Sequence, residues 1–312
     1  VFTMASDDPF WWNAVPPLWV TAEEAGIPTA SMFWPGSNVA WGGARATAWP
    51  SAITGGTRPD DWQAFSQQLP GGNRVRQVID WMRRPAASRP RFGPTYFDVG
   101  DTEGHRNGPN SPGVNTALAE VDRQIGALVE GLAELGQPAN LIIVSDHGMS
   151  QTSSERVVAL DRIVPATDAR VVESGPYATF APLPGRDAAV AAALLKPHAH
   201  MECWRKEAIP ARFHYGQNVR VPAFLCLAED GWELQKTAPT MTYTRGNHGF
   251  DPYAPSMQAL FIANGPAFAP GKKVGAFDNV AVAPLLRTLL GLPADPTLDS
   301  TDAVFRPVLR RR

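Results

Sequence analysis

Apolar residues recur along the chain with two spacings, and each spacing predicts elements. Val114, Leu118, Val121, Ile125, Leu128, Leu132 and Leu135 step by alternating fours and threes. Such spacing puts them on one face of a helix directed at a core. Ser111 can cap that helix, Pro112 suits its first turn, and Gly136 with Pro138 stops it. Further helices are predicted over 75–82 and 186–196, and a last one carries Val282, Leu285, Leu286, Leu289 and Leu290 up to Gly291. Short apolar runs predict strands at Asn140-Leu-Ile-Ile-Val-Ser145, over 95–99, at Tyr177-Ala-Thr-Phe-Ala181 and at Val221-Pro-Ala-Phe-Leu-Cys-Leu227. Alternation of the two patterns predicts an α/β fold with a mainly parallel central sheet flanked by helices. The texture changes over 170–235, where short strands surround one helix. The expected organisation is therefore an α/β core over 1–169, a small inserted α+β subdomain over 170–235, and a return to the core over 236–312.

Composition narrows the class. The 312 residues are 44% hydrophobic and 19% charged, enough apolar material for a large core. Lys and Arg number 28 against 30 Asp and Glu, for a formal net charge of −2. This balance argues against a nucleic-acid polymer or an anionic membrane as partner, since either favours a basic excess. The longest apolar run, from Ala188 to Leu195, has eight residues, so no membrane span is expected. The chain starts at Val1 rather than Met, so the absence of a signal peptide carries no information.

Three of the six histidines stand in short Gly-containing segments beside predicted strands: Asp101-Thr-Glu-Gly-His105, Ser145-Asp146-His147-Gly148-Met149 and Gly246-Asn-His248-Gly249. Ligands of open α/β sheets bind at the carboxyl ends of strands. Aspartate oxygens and neutral imidazoles meeting there suit zinc, and two neighbouring zincs clamp a transferring phosphoryl group. The plainer alternative is that these are loop residues capping helices, each histidine hydrogen-bonded and inert. His198 and His200 lie near Cys203 but lack a fourth ligand at finger spacing, and His214 alternates like a structural strand residue. There is no Gly-x-Ser-x-Gly elbow and no Gly-x-Gly-x-x-Gly fingerprint, and the stretch from Gly265 to Lys272 misses the P-loop spacing.

Asp101-Thr-Glu-Gly-His105-Arg-Asn-Gly-Pro109, Ser145-Asp-His-Gly-Met149 and Asn247-His-Gly-Phe-Asp251 followed by Ser256-Met-Gln-Ala-Leu260 resemble the nucleotide pyrophosphatase/phosphodiesterase family of the alkaline phosphatase superfamily. Ser31-Met-Phe-Trp-Pro-Gly36 and Phe277-Asp-Asn-Val-Ala281 fit the same pattern. The resemblance implies an alkaline-phosphatase-like core and a site for two Zn2+. Asp101, His105 and His248 match ligands of the first zinc, and Asp146 and His147 match ligands of the second. It further implies a small-molecule nucleotide or phosphodiester substrate, cleaved by a metal-activated threonine to release a nucleoside monophosphate. Tyr96 matches one wall of an aromatic slot for the base and Phe65 another. Ordinary core packing is the alternative for both.

The family's nucleophilic threonine, a further aspartate ligand and a phosphate-binding asparagine have no counterpart in residues 1–312. Thr21, Thr29 and Thr54 lack the strand-to-helix setting. The expectation is a fragment whose nucleophile lies upstream of Val1 and which alone is poorly active or inactive. Cys203 and Cys226, 23 residues apart, allow either a disulfide or two free thiols. A disulfide would fit the periplasmic or secreted location that the resemblance implies. Rival readings are a phosphomonoesterase or lipid-headgroup phosphodiesterase of the same superfamily, or a degenerate member that binds nucleotides without turnover.

Overall fold

The computed structural model describes residues 3–4, 6–49 and 52–310. The chain divides into two units: Val1–Asp98, Glu120–Ile142 and Ile262–Arg312 form the first, and Val99–Ala119 with Ile143–Phe261 the second.

In the first unit the strand Ala30–Met32 is buried along its whole length and pairs in parallel with Asp61–Gln63. Thr29 and Met32 also make parallel bridges to Phe92 and Thr95. The strand predicted over 95–99 is reduced to these bridges. Pro90 and Pro94 have no N–H to donate, so a continuous ladder cannot form there, and from Val99 onward the chain is helical. The helix Gly71–Met82 lays Val75, Val78 and Trp81 against Ala30, Met32, Phe33 and Leu128 in one core. It begins a turn before the predicted 75–82 because Gly71 and Gly72 hide its start from propensity. The reason for the first glycine is steric: a Cβ on Gly71 would lie 2.0 Å from Gln124 Oε1.

The helix Pro112–Glu134 matches its predicted bounds, and its predicted face holds except at Leu118: Leu128 joins the core, Leu132 packs against it, and Val114, Val121, Ile125 and Leu135 are part-buried. Leu118 is 53% exposed, whereas Ala117, Gln124 and Leu128 are buried. A Cβ on Gly131 would lie 2.5 Å from Ile79 Cδ1, so the two helices approach closely at a glycine that stands beside Leu128 and Leu132. The helix Val282–Leu290 ends at Gly291, as predicted, in the left-handed conformation at φ 75°.

The second unit is built around a four-stranded antiparallel sheet in the order Met201–Arg205, Phe224–Ala228, Tyr177–Pro182, Ala169–Glu173. Phe180, Phe224, Met201 and Leu234 join Val190 and Leu194 of the helix Asp187–Leu194 in its core. Cys203 and Cys226 face each other across adjacent strands and are joined in a disulfide. His214 is not a strand residue: it follows a short 3-10 turn and adopts φ 49°. The molecule is thus α/β, with parallel pairing about Ala30–Met32 and antiparallel pairing in this sheet.

Candidate metal centre

The five expected ligands all lie in the second unit, on three segments. Asp101 and His105 are four apart on the helix Val99–Asn107, so they share a face. Asp146 and His147 follow the strand Leu141–Val144 after Ser145, and His248 directly follows Thr244–Asn247. Each segment carries a glycine where another chain segment passes. A Cβ on Gly104 would lie 2.8 Å from Met149 Cε, one on Gly246 2.4 Å from the Gly104 carbonyl oxygen, and one on Gly148 2.1 Å from the Ser256 carbonyl oxygen. Glycine is used here for close approach, and the approach is what brings the three segments together.

Asp101 Oδ1 is the centre of the arrangement. It lies 3.4 Å from His105 Nε2 and 3.5 Å from His248 Nε2. Asp101, His147 and His248 each offer a ligand atom, all within 4.8 Å of one another. The His147 and His248 rings stack at 3.5 Å, and the His105 ring is 4.9 Å from that of His248. Asp146 Oδ2 stands 3.5 Å from His147 Nε2 at the more exposed edge. Distance therefore groups His147 with Asp101 and His248, across the division that the resemblance implies.

The tautomers follow from the hydrogen bonds. His105 Nδ1 donates to the Gly246 carbonyl at 3.1 Å, and His147 Nδ1 to the Gly148 carbonyl at 2.9 Å. In a neutral ring the Nε2 atom is then left with a lone pair. Burial pushes the His248 pKa down to about 4; His147 and His105 add to this, while Asp101 and Asp146 oppose it. A proton on His248 is therefore disfavoured at neutral pH. Asp101 Oδ1, meanwhile, is buried without a hydrogen-bond partner. Lone pairs converging on an orphaned carboxylate oxygen suit a divalent cation, and mixed imidazole and carboxylate donors suit zinc.

His105 also lines a cleft of about 400 Å³ with Glu233, Gln235, Tyr243, Arg245 and Asn247. Sequence reasoning passed over Glu233, since a lone glutamate in Glu233–Gln235 belongs to no motif. Phe65 and Tyr96 lie in the first unit. Their rings are 6.1 Å apart, and both pack on Phe33, at 4.4 and 6.4 Å. Trp34 meets Tyr96 edge-on at 6.0 Å. Phe65 and Tyr96 are half-buried, so each contributes to the core while keeping an accessible part.

The family model for type I phosphodiesterase / nucleotide pyrophosphatase matches residues 1–251. The chain belongs to this family. It is 32% identical over 312 residues to the bis(5'-adenosyl)-triphosphatase enpp4 of Xenopus laevis, covering 98% of this chain and 65% of that protein. It is 30% identical to ectonucleotide pyrophosphatase/phosphodiesterase family member 5 of Homo sapiens, covering 93% of this chain and 58% of that one. The chain thus spans less than two thirds of the length of these relatives. Among solved structures, human ectonucleotide pyrophosphatase/phosphodiesterase 5 superposes with a TM-score of 0.88 at 27% identity, over 98% of this chain and 78% of that one. An inactive variant of the murine protein, in complex with AMP, also gives 0.88, at 29% identity over 97% of this chain and 77% of that one. The family membership and the alkaline-phosphatase-like α/β fold implied by the motifs both hold.

Proposed function

We propose that this protein hydrolyses nucleotide phosphodiester or pyrophosphate bonds and releases nucleoside monophosphates. In this reading Asp101, His105 and His248 hold one zinc, and Asp146 and His147 contribute to a second. The observation that carries it is the convergence of three imidazoles on the orphaned Oδ1 of Asp101, in a chain of this family. When bound, such metals supply charge stabilisation for a transferring phosphoryl group and lower the pKa of a coordinated hydroxyl.

The chain's own residues set the conditions for this chemistry. The carbonyls of Gly246 and Gly148 fix the tautomers of His105 and His147, so that Nε2 of each ring faces the site as an acceptor. Burial keeps His248 neutral. Phe65 and Tyr96 are assigned to the nucleobase, which an aromatic face holds by stacking. The AMP bound by the murine relative supports a small nucleotide as substrate. The attacking hydroxyl, a threonine in the reading from the resemblance, is assigned to none of the residues around this ligand set. The Cys203–Cys226 disulfide supports an oxidising, periplasmic or secreted location. Among the described residues no helix is long and apolar enough to cross a membrane.

The test uses the natural protein, loaded with zinc, on a chromogenic nucleotide diester and on the matching monoester. Diester hydrolysis that is lost on chelation and regained with zinc is the expected result. Turnover of the monoester alone, or zinc binding that survives His248→Ala unchanged, would overturn the reading.

A further inference from the structure

We propose that Glu233 is a positioning residue for the metal centre, setting the backbone of His248 through Asn247. The proposal rests on His248 being a metal ligand, as read above. Glu233 Oε1 accepts a hydrogen bond from Asn247 Nδ2 at 2.8 Å, and Asn247 Oδ1 accepts one from the His248 backbone N–H at 3.0 Å. The other carboxylate oxygen accepts from the Tyr243 hydroxyl at 2.8 Å and from Gln235 Nε2 at 3.0 Å. Glu233 is only 8% exposed. A buried carboxylate is costly unless its lone pairs are filled, and here three neutral side chains fill them.

The topology shows why this matters for the ligand rather than for the strand. Thr244–Asn247 is already paired with Ser150–Ser153, in a ladder whose last pair is Asn247 with Ser150. His248 lies one residue beyond the end of that ladder, where no strand pairing fixes it. Glu233 holds the approach to it at two points, Tyr243 and Asn247. Its own backbone is anchored by a hydrogen bond to the Arg156 carbonyl at 2.9 Å and by parallel pairing with Val157. The carboxylate thus ties the strand before the ligand to a separate strand, Glu233–Gln235, itself paired with Val157–Ala159. Partners of this kind orient ligands without touching the metal.

The experiment measures zinc affinity of the protein by competition with a chromogenic chelator, with zinc-free thermal unfolding in parallel. Asn247→Asp sets a second carboxylate against Glu233, and Asn247→Ala removes the link without adding charge. Each is expected to weaken zinc binding by about 10- to 100-fold. The double variant Glu233→Gln with Asn247→Asp re-forms the pair with donor and acceptor exchanged, and leaves the acceptor for the His248 N–H in place. It is expected to regain most of the lost affinity. A merely structural role would move the unfolding midpoint and leave zinc affinity alone. Single variants that bind zinc like the wild type, or a double variant as weak as Asn247→Asp, overturn the proposal. Failure of the wild type itself to bind zinc instead overturns the ligand reading on which it stands.

Discussion

Gly246 packs backbone to backbone against Gly104: a Cβ on Gly246 would lie 2.4 Å from the Gly104 carbonyl oxygen and 3.0 Å from Met149 Sδ. This contact seats the helix that carries Asp101 and His105 against the strand that leads to His248. The same Gly246 accepts the His105 Nδ1 hydrogen bond. Gly246→Ala must therefore push the helix away and turn the His105 ring. The expected cost is about 1–3 kcal/mol of stability, together with weaker zinc binding. Gly126→Ala is the control, since that helical glycine has nothing within 4 Å of an added Cβ. It is expected to leave zinc affinity unchanged and to stabilise by up to about 1 kcal/mol. Urea unfolding and zinc titration of the two variants give the comparison, and equal zinc affinity in both would count against this account.

Arg74 is 2% exposed and uses three of its N–H donors. Its Nη1 donates to Asp98 Oδ1 at 2.8 Å and to the Tyr96 carbonyl at 2.9 Å, its Nε donates to the Leu69 carbonyl at 3.0 Å, and the guanidinium lies 3.5 Å from the Phe33 ring centroid. Arg74→Met leaves a buried carboxylate uncompensated, for an expected loss of about 3–5 kcal/mol. Arg74→Met with Asp98→Asn removes both charges and is expected to lose distinctly less. If the double variant is as unstable as the single one, the pairing is not what holds this corner.

The aromatic pair makes a separate claim. Phe65→Ala and Tyr96→Ala are each expected to weaken AMP binding by about 1–3 kcal/mol, the range of base–aromatic stacking. Calorimetric titration with AMP decides it. Tyr96→Phe, which keeps the ring, is expected to bind AMP close to the wild-type affinity. Loss of stability without loss of AMP affinity would assign both rings to the core around Phe33 alone.

What was legible in the sequence follows from where the constraint acted. The helices Pro112–Glu134 and Val282–Leu290 are amphipathic and bounded by Pro and Gly, so local pattern sufficed. The ligand segments stood out because metal chemistry needs residue types that a core would not place together. The helix Val99–Asn107 was missed because Val-Gly-Asp-Thr-Glu-Gly-His-Arg-Asn shows no apolar period. Packing of Gly104 against Met149 and Gly246 substitutes for it. Periodicity predicts Leu118 in the core with the rest of its stripe, but it is 53% exposed while Leu128 on the same face is buried. Glu233 left no trace, because its partners Tyr243 and Asn247 come from another segment, just before and at the end of the strand Thr244–Asn247.

Cys203 and Cys226 occupy directly opposed positions in neighbouring strands and close a separation of 23 residues. A link over a loop of this length stabilises by about 3 kcal/mol, chiefly by restricting the unfolded chain. Cys203→Ala with Cys226→Ala is expected to lower urea stability by about that amount and to leave zinc affinity intact. Peptide mapping of the natural protein, digested without reductant, should find Cys203 linked to Cys226. Two free thiols would remove the support for an oxidising location.

Tyr243 provides a pH-dependent prediction. Burial, with the hydrogen bond to Glu233, pushes its phenol up to about 12 from an ordinary value of 10. An acid that holds its proton more tightly when folded contributes stability that is complete below the unfolded pKa. Between pH 10 and about 12 the unfolded chain loses this proton while the folded chain keeps it, so stability falls with rising pH. Burial raises Tyr177 and Tyr215 as well, so the slope of the wild type alone does not isolate Tyr243. Tyr243→Phe does, because it keeps the ring and removes the titrating hydroxyl. The variant is expected to be less stable at neutral pH, having lost one donor to Glu233, and its stability is expected to fall less steeply across the alkaline window. Urea unfolding of both proteins at intervals from about pH 8 to 11 measures the two slopes. If they are parallel, Tyr243 does not hold its proton against Glu233, and the grip of that carboxylate on the His248 segment would reduce to Asn247 alone.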